Sequence, residues 1–208
     1  MKNIQKYIKS KISEEKLQII KCIGEQAHKM NLHAYLVGGI VRDLLLGMQI
    51  KGNCNLDIAI ESHNKKNVLE ALVNKLKNKV YISKCTYYRQ FPTATVRINN
   101  FEIDFAITRQ EKYFKPAALP VVKPADIISD LYRRDFTINS IAVSLSPTTF
   151  GDLLDPADGL KDIKLKYIRI LHSRSFVDDP TRILRAIRFA TRLNFKLEPE
   201  TEKLLRKA

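Results

Sequence analysis

A glycine pair divides the stretch Leu36-Val37-Gly38-Gly39-Ile40-Val41-Arg42-Asp43-Leu44-Leu45-Leu46-Gly47 into two apolar segments. The first segment predicts a short buried strand over 34–37, and the second predicts a helix over 40–46. Because glycine has no Cβ, backbone amides at this turn can approach an anion closely, and a helix N-terminus favours phosphate. Arg42 would lie within reach of the same phosphates. A purely structural turn between a core strand and a core helix is the alternative, and the glycine pair alone does not exclude it.

A second stretch, Asn55-Leu56-Asp57-Ile58-Ala59-Ile60, has the short apolar pattern of a strand. Residues 55, 57 and 59 of a strand share one face, so Asp57 is a charge in an apolar run and needs a partner or a metal ion. On a later predicted strand, Asp104 lies with Glu102 on the face opposite two phenylalanines. A solvated carboxylate on an open sheet face is the alternative interpretation of Asp104.

The composition is that of a folded and strongly basic protein. The 208 residues are enough for one sizeable core, or for one domain and the start of a second. Thirty-six Lys and Arg against 22 Asp and Glu give a net charge of +14, which favours a polyanionic partner such as nucleic acid. A lysine- and asparagine-rich genome is the alternative explanation of that charge.

Membrane insertion and secretion are not expected from the sequence. No apolar run reaches the roughly 18 residues of a membrane span, and residues 1–11 lack the apolar core of a secretory signal. The cysteines Cys22, Cys54 and Cys85 are odd in number and lack metal-site spacing. They indicate reduced thiols in a cytoplasmic protein, and their spacing argues against a zinc site.

Periodicity and turn signals divide the rest of the chain. Helices are predicted over 13–30, 64–79, 126–132, 181–194 and 199–207, and strands over 81–88, 94–98 and 101–107. A polar turn is predicted at 52–54, a hairpin turn at 99–100, the longest loop over 109–124, and strand and turn signals over 151–170. In the last helix, Leu204 and Leu205 have no obvious cover, so we expect a longer chain or a second chain to complete the structure.

Metal-assisted nucleotidyl transfer requires carboxylates from neighbouring strands that converge on two Mg²⁺ ions about 3.5–4 Å apart. Asp57 and Asp104 are the best candidate ligands, because Mg²⁺ prefers oxygen donors. Arg182, Arg185 and Arg188 lie at positions i, i+3 and i+6 of one predicted helix and form a basic stripe suited to phosphates or a base edge. A solvated basic face is the alternative for the stripe taken alone.

Five motifs occur in a fixed order. They are Leu-Val-Gly-Gly-x-Val-Arg-Asp-x-Leu-Leu-Gly from 36, Leu-Asp-Ile from 56, Ile-Asp from 103, Arg-Arg-Asp-Phe-Thr-Ile-Asn from 133 and Asp-Asp-Pro-Thr-Arg-x-x-Arg-Ala-x-Arg-Phe from 178. This order resembles the bacterial-type tRNA nucleotidyltransferase and poly(A) polymerase family, the class II branch of the polymerase-beta-like superfamily. Residues 91–97 and 115–120 are also similar, so the resemblance covers about residues 17–205.

The resemblance implies an α+β fold, in which a nucleotidyltransferase head (1–172) has a mixed sheet flanked by helices and a truncated helical neck (173–208) follows. It implies that Asp57, Asp104 and Asn55 form the catalytic, Mg²⁺-binding set, and that residues 109–124 match a mobile loop near the active site. The implied nucleotide-binding residues are Gly38, Gly39, Arg42, Asp43, Arg134, Asp135, Asn139, Asp179, Arg182, Arg185 and Arg188.

Two features depart from the family pattern. The family has Asp-x-Asp on its catalytic strand, and the aligned pair here is Asn55 and Asp57, so one of three carboxylates is missing. An alternative register aligns Asp57 and Ala59, but Glu61 fits the first register better. The sequence also ends before the family's Glu-Asp-x-x-Arg motif, whose Asp and Arg select CTP or ATP, and before the body and tail that bind tRNA.

These expectations describe a cytoplasmic, template-independent enzyme. It would add C or A to the tRNA 3′ end from CTP or ATP with Mg²⁺ and release pyrophosphate. The missing body and tail would come from the rest of a longer chain or from a partner chain. A poly(A) polymerase is the alternative within the enzyme class. A catalytically impaired nucleotide- or RNA-binding module is the alternative outside it, and Asn55 and the missing Glu-Asp-x-x-Arg motif favour that alternative.

Overall fold

The computed structural model describes residues 2–50, 55–62, 67–88 and 92–208. Its helices are α1 (Gln5–Lys11), α2 (Glu14–Lys29), α3 (Gly39–Leu45), α4 (Val68–Lys77), α5 (Ile127–Tyr132), α6 (Gly159–Leu165), α7 (Ser175–Asp178), α8 (Thr181–Leu193) and α9 (Pro199–Lys207). A 3-10 helix spans Thr137–Asn139. The predicted turn at 52–54 lies outside these ranges.

The strands are β1 (His33–Val37), β2 (Leu56–Glu61), β3 (Ile82–Tyr88), β4 (Thr93–Ile98), β5 (Phe101–Ile107), β6 (Arg109–Lys112), β7 (Val121–Pro124), β8 (Ala142–Ser144), β9 (Leu153–Leu154), β10 (Tyr167–Ile168) and β11 (Lys196–Leu197). Within the described ranges, seven of them form one sheet in the order β3-β4-β5-β2-β1-β8-β9. β2 and β5 run parallel, and the other neighbours in this sheet are antiparallel. The predicted mixed sheet flanked by helices is confirmed.

The main core lies between one face of this sheet and the helices α2 and α4. Leu36, Ile58 and Ile103 alternate along their strands with residues of the opposite face, and they belong to one buried cluster with Ile20 and Leu72 of the two helices. The predicted cap of α2 is confirmed, since Ser13 accepts a hydrogen bond from the backbone amide of residue 16 at 3.4 Å.

The opposite face of the sheet carries a smaller apolar cluster. Tyr35 and Ala59 pack there against Ile127 and Leu131 of α5. Because strand residues alternate between faces, Asp57 projects from this second face, two residues before Ala59. One face of the sheet is therefore used for stability, and the other is available for polar side chains.

Two sequence predictions for connecting segments are wrong. The sequence predicts one irregular loop over 109–124, but β6 and β7 pair as an antiparallel ribbon from Arg109↔Pro124 to Lys112↔Val121. Pro124 is tolerated because it lies at the end of an edge strand, where no amide is required. Residues 151–170 include the helix α6 as well as the expected strands.

The segment predicted as a neck shares the core of the preceding residues. Phe176 and Phe195 belong to the main buried cluster, and β11 pairs in parallel with β10 across the predicted boundary at 172. Leu204 and Leu205 are partly buried against the same cluster, so the expectation that they lack cover is wrong. The division into head and neck at this position stays a prediction.

The described helices include none that is both long enough and apolar enough to cross a membrane. Cys22 and Cys85 are free thiols of intermediate exposure. Burial raises the pKa of the Cys22 thiol, which keeps it protonated and weakly reactive.

Gly24 provides a test of how α2 packs on the sheet. A Cβ at this position would collide with the backbone carbonyl of Leu145, which no side-chain rotation can relieve. Alanine is favoured over glycine in helices by about 1 kcal/mol, but we expect Gly24→Ala to destabilise the fold by about 2–3 kcal/mol. The melting temperature should fall by about 3 °C for each kcal/mol.

The matched control is Glu25→Ala at the neighbouring, exposed position of the same helix. We expect its melting temperature to change by less than about 2 °C, since surface substitutions stay within about 0.5 kcal/mol. If Gly24→Ala melted at the same temperature as this control, the close approach of α2 to Leu145 would be disproved.

Candidate active site

The turn between β1 and α3 brings a glycine backbone against a carboxylate. Gly38 has φ 75° and ψ −141°. A Cβ at this position would lie 3.2 Å from Asp57 Oδ2 and 3.4 Å from Arg134 Nη1. The positive φ and the lack of space both favour glycine. The turn that the sequence predicted for an anion therefore also admits the Asp57 and Arg134 side chains.

The parallel pairing of β2 and β5 places Asp57 directly opposite Asp104. Thr95, on the adjacent strand β4, donates a hydrogen bond to Asp104 Oδ1 at 2.6 Å. Asn55 lies on the same face, and its Nδ2 is 3.4 Å from Asp104 Oδ2. Ala59, the second residue of the alternative register, packs in the apolar cluster instead. The three residues predicted to bind metal are thus brought together.

Burial raises the pKa of Asp57, and the neighbouring Asp104 carboxylate raises it further, while Arg134 opposes both effects. Two carboxylates held side by side in a partly dehydrated place favour a bound cation. The described residues contain no group of three or more His, Cys, Asp and Glu arranged to hold a metal ion by themselves. Mg²⁺ is commonly held by one or two carboxylates together with substrate phosphates, so this oxygen donor set fits Mg²⁺.

An ion-pair network fixes the arginines that follow α5. The buried Asp130 carboxylate accepts hydrogen bonds from Arg133 at 2.8 Å and from Arg134 at 2.9 Å. Burial opposes ionisation of Asp130, but Arg134 and Arg133 outweigh this effect and lower its pKa. Glu111 accepts from Arg109 at 2.8 Å and from Arg133 at 3.1 Å. The network ties the β6–β7 ribbon to α5.

A second chain of hydrogen bonds connects three separate elements. Arg185 of α8 donates to Asp135 Oδ2 at 2.6 Å, and Asn139 donates to Asp135 Oδ1 at 3.0 Å. Asn139 Oδ1 accepts from Arg42 Nη1 of α3 at 2.7 Å. Asp43 Oδ1 accepts a hydrogen bond from Arg42 Nη2 at 2.7 Å, which fixes the orientation of that guanidinium. These five predicted residues therefore act as one unit.

The face that α8 presents to the site differs in part from the predicted stripe. Arg182, Arg185, Phe189 and Arg192 line the same cavity, and their spacing of three, four and three residues follows one face of a helix. Arg188 is exposed and does not line that cavity, because two successive steps of three residues rotate it by about 120° around the helix axis from Arg182. Arg192 could have been found from its position seven residues after Arg185.

Arg182 is buried and serves as a bridge at the start of α8. It donates to Ser175 Oγ at 2.8 Å and to the Arg133 carbonyl at 2.9 Å. Asp179 lies 3.6 Å from the Arg182 guanidinium and accepts from Thr181 Oγ1 at 2.6 Å. Asp179 and Arg182 both line the cavity, and their predicted contact with a nucleotide stays a prediction.

These elements enclose a cavity of about 530 Å³. Its described lining includes the glycines of the turn and more cationic than anionic side chains. The cations are Arg42, Arg109, Arg133, Arg134, Arg182, Arg185 and Arg192, and the anions are Asp57, Glu111, Asp135 and Asp179. Sequence reasoning missed Arg109 and Glu111, because they lie in the predicted loop.

A smaller cavity of about 290 Å³ adjoins the first one, and Asp57 and Arg134 line both. Its other polar side chains include Asp104, Thr93 and Thr95. Asp57 thus stands between two spaces of different size, and Asp104 faces the smaller one. Thr95 belongs to no motif in the sequence. Only the alternation of residues along β4 could have indicated that its side chain lies on the same face of the sheet as Asp104.

Known proteins are similar to this chain over most of its length. The A-adding tRNA nucleotidyltransferase of Halalkalibacterium halodurans is 41% identical over 197 residues, which cover 93% of this chain and 43% of that protein. The A-adding tRNA nucleotidyltransferase of Aquifex aeolicus is 45% identical over 177 residues, which cover 85% of this chain and 20% of that protein. The solved structure of a CCA-adding enzyme, apo form II, superposes with a TM-score of 0.90 at 40% identity and covers 100% of this chain and 47% of its own.

The chain spans less than half the length of each of these proteins. Residues 34–169 match the family described as the poly(A) polymerase head domain. The matched range includes the glycine turn, Asp57, Asp104 and the motif at 133–139. It agrees with the resemblance predicted from the sequence. The chain therefore belongs to the poly(A) polymerase head-domain family.

Proposed function

We propose that this chain is the catalytic head of a tRNA nucleotidyltransferase that adds nucleotides to the tRNA 3′ end without a template. The observation that carries the proposal is the pairing of Asp57, which lines the cationic cavity, with Asp104 on the neighbouring strand. Both curated relatives described above add A to tRNA, so ATP is the first substrate to test and CTP the second. The activity, tRNA binding and cytoplasmic location of the whole protein are parts of this proposal.

The larger cavity is the proposed nucleotide site. Its volume lies within the range of about 300–1,000 Å³ that is usual for small-molecule sites. Arg134 supports a triphosphate, because its guanidinium lines the cavity beside the glycine turn and supplies a positive charge there. Gly38 and Gly39 would let backbone amides approach the phosphates. Asp135, Asn139 and Arg185 would contact the sugar and base.

Nucleotidyltransferases of this family generally use a divalent metal ion. We propose that Asp57 and Asp104 hold Mg²⁺, with Asn55 contributing through its carbonyl oxygen. When bound, the metal would lower the pKa of the attacking hydroxyl and stabilise charge on the leaving pyrophosphate. The protein's own part is to hold the two carboxylates in register, with Thr95 fixing Asp104 and Gly38 leaving room for Asp57.

The smaller cavity is the proposed site of the RNA 3′ end. It meets the nucleotide cavity at Asp57 and Arg134, so an acceptor hydroxyl there would face the α-phosphate across the carboxylates. The 3′ oxygen would form a bond to the α-phosphorus, the bond to pyrophosphate would break, and the hydroxyl proton would leave to solvent or to a carboxylate. Positioning of the two substrates is the main contribution expected of this chain.

A specific observation favours a second candidate. Asn55 stands where the family pattern has a carboxylate, so the chain could bind nucleotides or RNA without efficient transfer. The test is incorporation of labelled ATP and CTP, with Mg²⁺, into tRNA ending in CC, tRNA lacking CCA and an RNA unrelated to tRNA. Incorporation confined to tRNA supports the proposal. Processive extension of any RNA indicates a poly(A) polymerase, and binding without incorporation indicates a binding module.

Asp57→Asn should separate function from stability. We expect transfer to fall at least about 100-fold, because the lost ligand charge is worth several kcal/mol in the transition state. The pKa of Asp57 is higher in the folded state than in the unfolded state, so the folded state binds a proton more tightly. The free energy of unfolding therefore decreases as the pH rises through the folded-state pKa and Asp57 ionises. With chelator present at about pH 7, the neutral variant should therefore melt at a higher temperature than the parent.

The difference in melting temperature should disappear below about pH 4, where the parent is also protonated. Glu202→Gln, at an exposed ion pair of α9, should change neither transfer nor the melting temperature appreciably. A lower melting temperature for Asp57→Asn at neutral pH would contradict a carboxylate destabilised by burial.

Arg185→Gln and Arg188→Gln form a matched pair on α8. Arg185 lines the cavity and Arg188 does not, although the sequence assigned both to the nucleotide. We expect Arg185→Gln to weaken ATP binding about tenfold, because a hydrogen bond to a charged group is worth about 1.5–3 kcal/mol. Arg188→Gln should change it less than about twofold. Calorimetry would measure both, and equal losses would disprove the cavity as the nucleotide site.

A further inference from the structure

Asn55 lies between two carboxylates. Its Nδ2 is 3.0 Å from Glu102 Oε1 and 3.4 Å from Asp104 Oδ2. The pairing of β2 with β5 explains this placement, because Asn55 directly precedes the pair Leu56↔Ile103. It therefore stands beside Glu102 as Asp57 stands beside Asp104.

The chemistry of the amide decides its orientation. A carboxylate can only accept a hydrogen bond, so the atom that Asn55 presents to two carboxylates must be its NH₂ group. The atom of this side chain that can face a cation is then Oδ1. A neutral amide is a weaker cation ligand than the aspartate of the family pattern, unless a neighbouring charge polarises it.

We propose that Glu102 is a positioning residue of the metal centre that compensates for the charge missing at Asn55. Its carboxylate holds the Asn55 NH₂ group, which fixes the amide and makes Oδ1 a better ligand. Carboxylates that hydrogen-bond a metal ligand from behind commonly orient it and raise its basicity. The inference rests on the proposed function, since it concerns the same metal centre.

Glu102 has a second neighbour, and its role must be separated from that contact. Glu102 Oε2 lies 3.9 Å from Arg97, its cross-strand partner on β4, and both side chains of this pair are about half exposed. Exposed pairs of this kind contribute little. A surface ion pair alone would leave metal binding unchanged when Glu102 loses its charge.

The test measures Mn²⁺ binding by the full chain, without nucleotide, from the electron paramagnetic resonance signal of free Mn²⁺. Glu102→Gln keeps the size and the hydrogen-bond acceptor but removes the charge. We expect it to weaken Mn²⁺ binding about tenfold, within the range usual for such supporting residues. The matched control Glu200→Gln, at an exposed position of α9, should change it less than about twofold.

A double-mutant cycle tests whether Glu102 acts through Asn55. In an Asn55→Asp background, the new carboxylate supplies its own charge, so adding Glu102→Gln should change Mn²⁺ binding less than about twofold. Arg97→Gln should not weaken binding in either background. The proposal is overturned if Glu102→Gln binds Mn²⁺ as the parent does, or if its effect is equally large in both backgrounds.

These results are independent of the proposed reaction. If the chain transfers no nucleotide but Glu102→Gln still weakens Mn²⁺ binding, the proposed function fails and the role of Glu102 stands. If transfer occurs and Glu102→Gln binds Mn²⁺ normally, the proposed function stands and the role of Glu102 is disproved. Circular dichroism of each variant confirms that the compared chains are folded.

Discussion

The parallel pairing of β2 with β5 forces two carboxylates, Asp57 and Asp104, to stand side by side on one face of the sheet. Burial raises the pKa of Asp57 and the like charge of Asp104 raises it further, so this arrangement carries a cost. The surroundings reduce the cost in specific ways. Gly38 leaves room for one carboxylate, Thr95 donates to the other, and Arg134 supplies a nearby positive charge. A cation would reduce the cost further.

The sheet separates the needs of stability from those of chemistry. One face is covered by α2 and α4 and holds the main core, so the opposite face can carry charges without weakening that core. On the polar face, ion pairs replace apolar packing as the means of fixing side chains. Asp130 fixes Arg133 and Arg134, and Asp135 fixes Arg185. The cationic cavity is therefore organised before any anion enters, which lowers the entropy lost on binding.

Local sequence was enough to predict most of the fold and part of the site. The helix from Ser13, the strands β4 and β5 with their turn, and the glycine turn at 38 follow from short-range patterns, and all are confirmed. The ribbon at 109–124 could not be predicted, because its prolines suggest a loop and its pairing depends on the rest of the fold. Arg109 and Glu111 were missed with it.

The sequence by itself determined which residues carry charge and on which face of each strand or helix they lie. Alternation alone places Asp57 opposite the apolar side of β2, and the motif order indicates the family. Only the tertiary structure decided which faces meet. It paired Asp57 with Asp104, turned Arg185 toward the cavity and Arg188 away from it, and placed Glu102 beside Asn55. The physical reason is that strand register and helix rotation are set by packing between residues distant in sequence, which no local pattern records.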